Sequence, residues 1–478
     1  MTNEPNQGIG RELGLLEGAG LIAMAASVPE LEYLFRHALI QDAAYESLLK
    51  QERRSLHIEV AEALLELYPD HREDMAPVLA HHFERAEDQP RAVEYLALAA
   101  RLARSRFARQ EAIGFARRAV AQLPDDDSLD VPERRVRAEM RLLQAKAGID
   151  SVPLGDSRVL LEAVIADGDA LRDPALSARA YLELCQARAL SGEQYVSSPD
   201  LAHTLDRATE LAEQSGSAEL IATALLRTGQ AKYASSEFRE AIELMERALP
   251  PLIDAGQFFG ASIGAWHIGI AYGHLGDYVT GVAWTDRAHE LGVTSGDPNA
   301  TLDADLARAV VEGLRGDTAT AIEYATKAAT VATRVDNKAC AMVAHGVVGE
   351  QHLRDGDPAK AAIAFEASAE LATYCQFMPV KIEQTGLLLQ TARARSGVGS
   401  VEFERYERAI ELARQFGDRL AVAQLYEQRA GDRVAAGQDE VARADLFEAA
   451  RLYDELGAEA HSQRVNELQT SLPPFEGS

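Results

Sequence analysis

The residues best equipped for chemistry in this chain are its histidines and one run of arginines, and their spacing decides what they can do. His81 and His82 are adjacent and stand near His71 and Glu84. Neighbouring residues on a helix point about 100° apart, so two adjacent imidazoles do not chelate one ion as an i, i+4 pair does. No metal site is therefore expected. His267/His274 and His345/His352 are seven residues apart and share a helix face, but no carboxylates stand at ligand spacing, which makes them groove or core histidines. No Ser/His/Asp order, Cys/His pair or paired carboxylate rises above a Glu-rich background. The phosphate-binding pattern Gly-x4-Gly-Lys-Ser/Thr is missing, and the dipeptide Gly-Lys never occurs. We expect no catalysis, no cofactor and no metal from these residues.

Binding is the better prospect. Residues 91–118 hold seven arginines, among them Arg101, Arg104, Arg106 and Arg109, against Glu94 and Glu111. Two readings are open: a docking patch for an acidic partner, or a solvated face paired with acids of neighbouring helices. The formal charge of -27 opposes nucleic acid as a general partner. Three separated cysteines, Cys185, Cys340 and Cys375, give no disulfide framework, which fits a reducing cytoplasm. The N-terminus shows no signal-peptide pattern, and residues 20–29 are too short to cross a bilayer.

The elements that must carry these residues are helical. Aromatics make up only 6% of the chain, and long Ala/Leu/Glu/Arg runs favour helix over strand. Gly276, Gly316, Gly356, Gly397 and Gly437 recur every 40 or 41 residues. Twelve positions after each come Ala288, Ala328, Ser368, Ala409 and Ala449, a register that runs back to Ala248 and Ala208. Such a repeat predicts stacked helix pairs that bury one another's apolar faces. The fold class expected is all-α, a helical-repeat superhelix of about nine pairs over 71–472, with a tail at 473–478.

The unit Ile268-Gly269-Ile270-Ala271-Tyr272-Gly273-His274-Leu275-Gly276-Asp277-Tyr278, with Gly281 and Ala288, resembles the tetratricopeptide pattern. In that family the inner face comes from the first helix of each pair. The resemblance places Gln230, Tyr233, Trp266, Ile270, Glu350, Arg354 and Arg395 on a concave recognition surface for a protein, peptide or small ligand.

Before the repeats, residues 11–22 read as a short helix ending at glycines. Residues 31–36 alternate Leu31, Tyr33 and Phe35 with Glu32, Leu34 and Arg36 as one half-buried strand, and helices follow over 38–49 and 52–67. Residues 33–57, with Phe35-Arg36-His37-Ala38-Leu39-Ile40, Ala44-Tyr45-Glu46-Ser47-Leu48-Leu49, Arg53, Arg54, Leu56 and His57, resemble the winged-helix segment closing the ATPase module of bacterial STAND-type signal-transduction ATPases. Those are the ATPases associated with adenylate/guanylate cyclase domains or found in large ATP-binding transcriptional activators. The resemblance implies a partial winged helix over 1–70, a regulatory role beside an ATPase, cyclase or transcription module, and His37 as a sensor of nucleotide phosphate supplied in trans. An enzyme portion whose catalytic domains lie elsewhere, and a free-standing adaptor, are the alternative readings.

Overall fold

The computed structural model describes residues 4–26, 32–106, 108–124, 128–149, 157–190, 198–375 and 378–472. The expected tail at 473–478 and Leu31 lie outside them. The described chain is helical except for one hairpin, and it divides into two compact units, 1–143 and 144–478. Among the described residues, no helix is long and apolar enough to cross a membrane.

Unit 1 begins with helix α1 (Glu4–Gly18), strands β1 (Ile22–Ala26) and β2 (Glu32–Phe35), and helices α2 (Ala38–Ser47) and α3 (Lys50–Leu67). The expected strand is thus half of an antiparallel hairpin in which Ile22 faces Phe35. Its partner, Ile-Ala-Met-Ala-Ala, gives no alternation and reads as helix former or turn, so only pairing with β2 makes it a strand. Very little of this segment is buried: Leu34, Phe35, Leu39, Leu49, Leu56 and Leu67 are all exposed. The core of the unit starts later, in α4 (Ala76–Ala86), α5 (Gln89–Ser105), α6 (Arg109–Ala121) and the start of α7 (Val131–Ile149), around Leu79, Phe83, Tyr95 and Leu96.

Unit 2 runs through α8 (Ser157–Leu171), α9 (Pro174–Leu190), α10 (Pro199–Ser215), α11 (Ala218–Ala234), α12 (Phe238–Asp254), α13 (Phe258–His274) and α14 (Tyr278–Ser295). It continues with α15 (Pro298–Arg315), α16 (Thr318–Arg334), α17 (Lys338–Arg354), α18 (Pro358–Leu371), α19 (Pro379–Arg395), α20 (Phe403–Gln415), α21 (Arg419–Ala435), α22 (Asp439–Glu455) and α23 (Glu459–Ser471).

The turns explain the even lengths. A residue with left-handed backbone ends one helix and an acid begins the next: Gly276, Gly316 and Gly356 have φ of 86°, 93° and 74°. Asp277, Asp317 and Asp357 then cap the following helix, each accepting from a backbone N–H at 3.1 Å. Left-handed glycines also close the turns between pairs, at Gly216, Gly256, Gly296, Gly417 and Gly457, with a capping acid following at Asp297 and Asp418. The structural repeat of the turn is therefore half the expected one. Ser236 and Asp336, with φ of 63° and 58°, occupy glycine's place and hide that shorter period from the sequence. Asp336→Gly is expected to raise stability by about 0.5–1 kcal/mol in a urea melt, because an L-residue is strained there.

The small-residue register does what its spacing predicts. Ala208, Ala248, Ala288, Ala328, Ser368, Ala409 and Ala449 are all buried against adjacent helices. Gly229, Gly269 and Gly349 meet the second helix of their own pair; a Cβ on Gly349 would come within 2.6 Å of the Phe365 ring. Gly349→Ala should cost about 1–3 kcal/mol by the same melt.

Candidate ligand groove

Odd-numbered helices from α9 to α21 pack on the next odd-numbered helix as well as on their sequence neighbours, whereas even-numbered ones make at most marginal contact with one another. The odd helices therefore lie on the inside of the curve and the even ones outside. The inner wall at one register position reads Ile263, Asp303, Val343, Gln384 and Gln424, all half-buried. Gln384 donates to Gln424 at 3.4 Å, and Asn337 to Asn299 at 3.0 Å. Burial raises the Asp303 carboxyl to about 6, and Cys340 Sγ lies 3.2 Å from it.

Unit 2 also closes on itself. Leu420 N–H donates to Ser236 Oγ at 3.2 Å across 184 residues of chain. Nearby, the His274 and His461 rings lie 5.9 Å apart, and Gly276 packs against Ala460. This seam joins α11–α13 to α21 and α23. It also explains why serine replaces glycine at 236: the hydroxyl is buried in the contact, which no glycine supplies. Burial pushes His267 and His274 down to about 4, and His461 to about 2 with help from His274, so all three are neutral at pH 7.

The expected groove residues fall into two groups. Tyr233, Gln230 and Trp266 come together: Trp266 stacks on His267 with centroids 3.5 Å apart, Tyr233 meets the same imidazole edge-on at 5.0 Å, and Gln230 accepts from Arg227 at 2.9 Å. Ile270 is buried below them, packed with Tyr233, Trp266 and Val310. Glu350, Arg354 and Arg395 belong to the far wall. Glu350 pairs with Lys381 at 3.2 Å, Arg354 donates to the Gly313 carbonyl, and Arg395 reaches Asp432 at 3.4 Å. The sequence does not single out Arg227, since nothing in the repeat pattern marks an arginine that lacks an acid.

In unit 1 the arginine run meets acids. Arg106 pairs with Asp74 at 2.5 Å, Arg101 with Glu139 at 3.7 Å, Arg91 with Asp88 at 2.6 Å, and Arg118 with Glu84. Arg104 is exposed at the end of α5, and Arg109 opens α6. His37 precedes α2 with extended backbone, exposed, its side chain making no cap.

His82 is joined by a residue from further off. His57 Nδ1 lies 2.9 Å from His82 Nδ1, and Tyr45 Oη lies 3.0 Å from His57 Nε2. Burial lowers both imidazoles, His57 further through His81 and Arg85, His82 through His57 and His81. His71 instead faces Asp74. Among the described residues, no group of three His, Cys, Asp or Glu is arranged to hold a metal ion.

The sequence matches no family model and no curated protein. Solved structures do resemble it. A Rap protein complexed with Competence and Sporulation Factor aligns with a TM-score of 0.58 at 13% identity, over 78% of this chain and 99% of its own. Aspartyl phosphate phosphatase F from Bacillus subtilis aligns at 0.47 and 11% identity, over 81% and 97%. A STAND protein with a tetratricopeptide repeat sensor from Pyrococcus horikoshii aligns at 0.44 and 16% identity, over 91% and 60%. The first of these likenesses establishes the fold: this is a tetratricopeptide-like helical-repeat superhelix, all-α apart from the hairpin.

Proposed function

We propose that the inner face of unit 2 binds a peptide, a protein segment or a small ligand, and that the chain is the sensing scaffold of a signal-transduction system. The observation that carries this is the closed seam. A curved wall that meets itself through Ser236, His274, Leu420 and His461 surrounds whatever sits inside, and a ligand touching several repeats biases how far the wall closes. The Rap protein that shares this fold is itself held in a complex with Competence and Sporulation Factor, which is in keeping with a ligand-binding role for such a superhelix.

In this reading the segment 32–67 faces the output. Its resemblance to the segment beside STAND ATPase modules, and its exposed Leu34, Phe35, Leu39, Leu49, Leu56 and Leu67, suit it to an apolar partner surface on an ATPase, cyclase or transcription module. His37 would meet that partner's nucleotide, and the chain itself would bind none, so calorimetry with ATP should show no micromolar association. Arg104, exposed at the end of α5, would add a cation to such a contact.

The groove is tested by selecting a library of N-acetylated hexapeptides on the immobilised full chain. Wild type should retain a defined subset, and Tyr233→Ala combined with Glu350→Ala should lose it. Phe447→Ala, an exposed change on the outer helix α22, should leave it intact. Equal retention by all three proteins would remove the groove as the binding face.

A further inference from the structure

Arg227, half-buried on the inner helix α11, has no carboxylate partner among the described residues. Other arginines of the inner helices are served by acids: Arg308 by Asp286 and Glu312, Arg429 by Asp445 and Glu407, and Arg433 by Asp445. Arg227, in the middle of α11, has only the Gln230 amide oxygen. Acids are not scarce: the chain carries 75 Asp and Glu against 48 Lys and Arg. A guanidinium withdrawn from water without a counter-charge is unfavourable unless something arrives to meet it.

The surroundings are donors without acceptors. Arg227 Nε is buried and has no partner, and Trp266 Nε1 is likewise buried and without one. Gln230 turns its oxygen to Arg227, which leaves its amide N–H groups as donors. Arg227 and His267 hold the same register position in neighbouring inner helices, nine residues before Ser236 and Gly276, so Arg227, Gln230 and Trp266 share one patch of wall. His267 neither competes nor repels: burial keeps it neutral, its Nδ1 lies 2.8 Å from the Ile263 carbonyl, and its ring holds the indole by stacking. A group made only of acceptors, negatively charged and planar, fits this set of donors.

We propose that Arg227, Gln230 and Trp266 form a carboxylate receptor in the groove, which takes an acidic side chain or the C-terminal carboxylate of a peptide ligand. This rests on the groove reading given above and specifies its ligand. Arg227 supplies the charge and a two-pronged donor, Gln230 fixes its orientation, and the indole N–H closes one side.

The hexapeptide library, made in two halves with free C-terminal acids and with C-terminal amides, tests it on the full chain. Wild type should enrich carboxylate-bearing peptides about tenfold or more, as expected for a charge-assisted pair in a half-buried site. Enrichment confined to the free acids identifies the C-terminus as the source; enrichment of Asp and Glu in both halves identifies a side chain. Arg227→Gln should abolish the enrichment and Arg227→Lys should keep part of it. Arg227→Gln should also melt no lower than wild type, whereas an arginine with a merely structural role would lower the melting temperature. Peptides retained without acidic preference, or a preference that survives Arg227→Gln, would overturn the receptor while leaving the groove standing. Retention of no peptide by wild type would overturn both.

Discussion

At pH 4.5 unit 2 is expected to be on the order of 5 kcal/mol less stable than at pH 7, a large part of a typical domain's total. The cause is three buried imidazoles on inner helices and the seam. His267, His274 and His461 are 8%, 6% and 3% exposed, and burial sets them at about 4, about 4 and about 2. A histidine whose folded value lies below its ordinary 6.5 contributes stability that is complete above 6.5 and is lost as pH falls toward the folded value. Each group then gives up about 1.4 kcal/mol per pH unit over that window. Asp303, raised to about 6, works in the opposite sense, gaining as pH falls, and Asp418 is also raised by burial, so part of the loss is offset. Urea midpoints at pH 7 and pH 4.5 measure the difference. Replacing His274 and His461 by Gln should remove most of it, since the remaining His267 term is nearly offset by Asp303, and equal midpoints for wild type at the two pH values would show that these imidazoles are solvated.

Asp445→Ala is expected to cost about 3–5 kcal/mol, the usual penalty for stranding a buried charge. Asp445 is 3% exposed and receives Arg429 through two bonds, at 2.9 and 2.6 Å, and Arg433 at 2.6 Å. Arg429 is itself 5% exposed, and its other partner, Glu407, is largely in solvent. Without Asp445 the guanidinium keeps only that outer acid while remaining inside the pair α21/α22. Asp445→Asn retains hydrogen bonding and should recover part of the loss. Denaturant melts of the two variants measure the effect, and a change under 1 kcal/mol for Asp445→Ala would mean that water reaches Arg429 freely.

How much of this is legible in the sequence follows from the physics of each feature. The helical repeat is readable because Gly276 and its companions, and Ala288 and its companions, recur for a local reason: a turn that needs left-handed backbone and a contact that excludes bulk. The shorter turn period is hidden by Ser236 and Asp336, one of which answers to a residue far away in sequence. The seam is invisible for the same reason, since no periodicity relates Leu420 to Ser236. Strand β1 has the composition of a helix and exists only through β2. Tyr233, Gln230 and Trp266 can be placed on the inner wall from their register, yet Ile270, on the same helix face, turns into the core. Arg227 escapes notice because its peculiarity is the lack of a neighbour, which a sequence does not display. The arginine run shows the reverse: its acids come from other helices, out of reach of any local reading.

Hydrogen exchange on the full chain, with and without the retained peptide pool, addresses the ligand groove most directly. Slowed exchange is expected in the inner helices α11, α13, α15, α17, α19 and α21 and at the seam turns 234–238 and 417–420, with the outer helices α14, α16 and α22 unchanged. Protection confined to the outer helices, or to residues 32–67 alone, would contradict a ligand held in the groove.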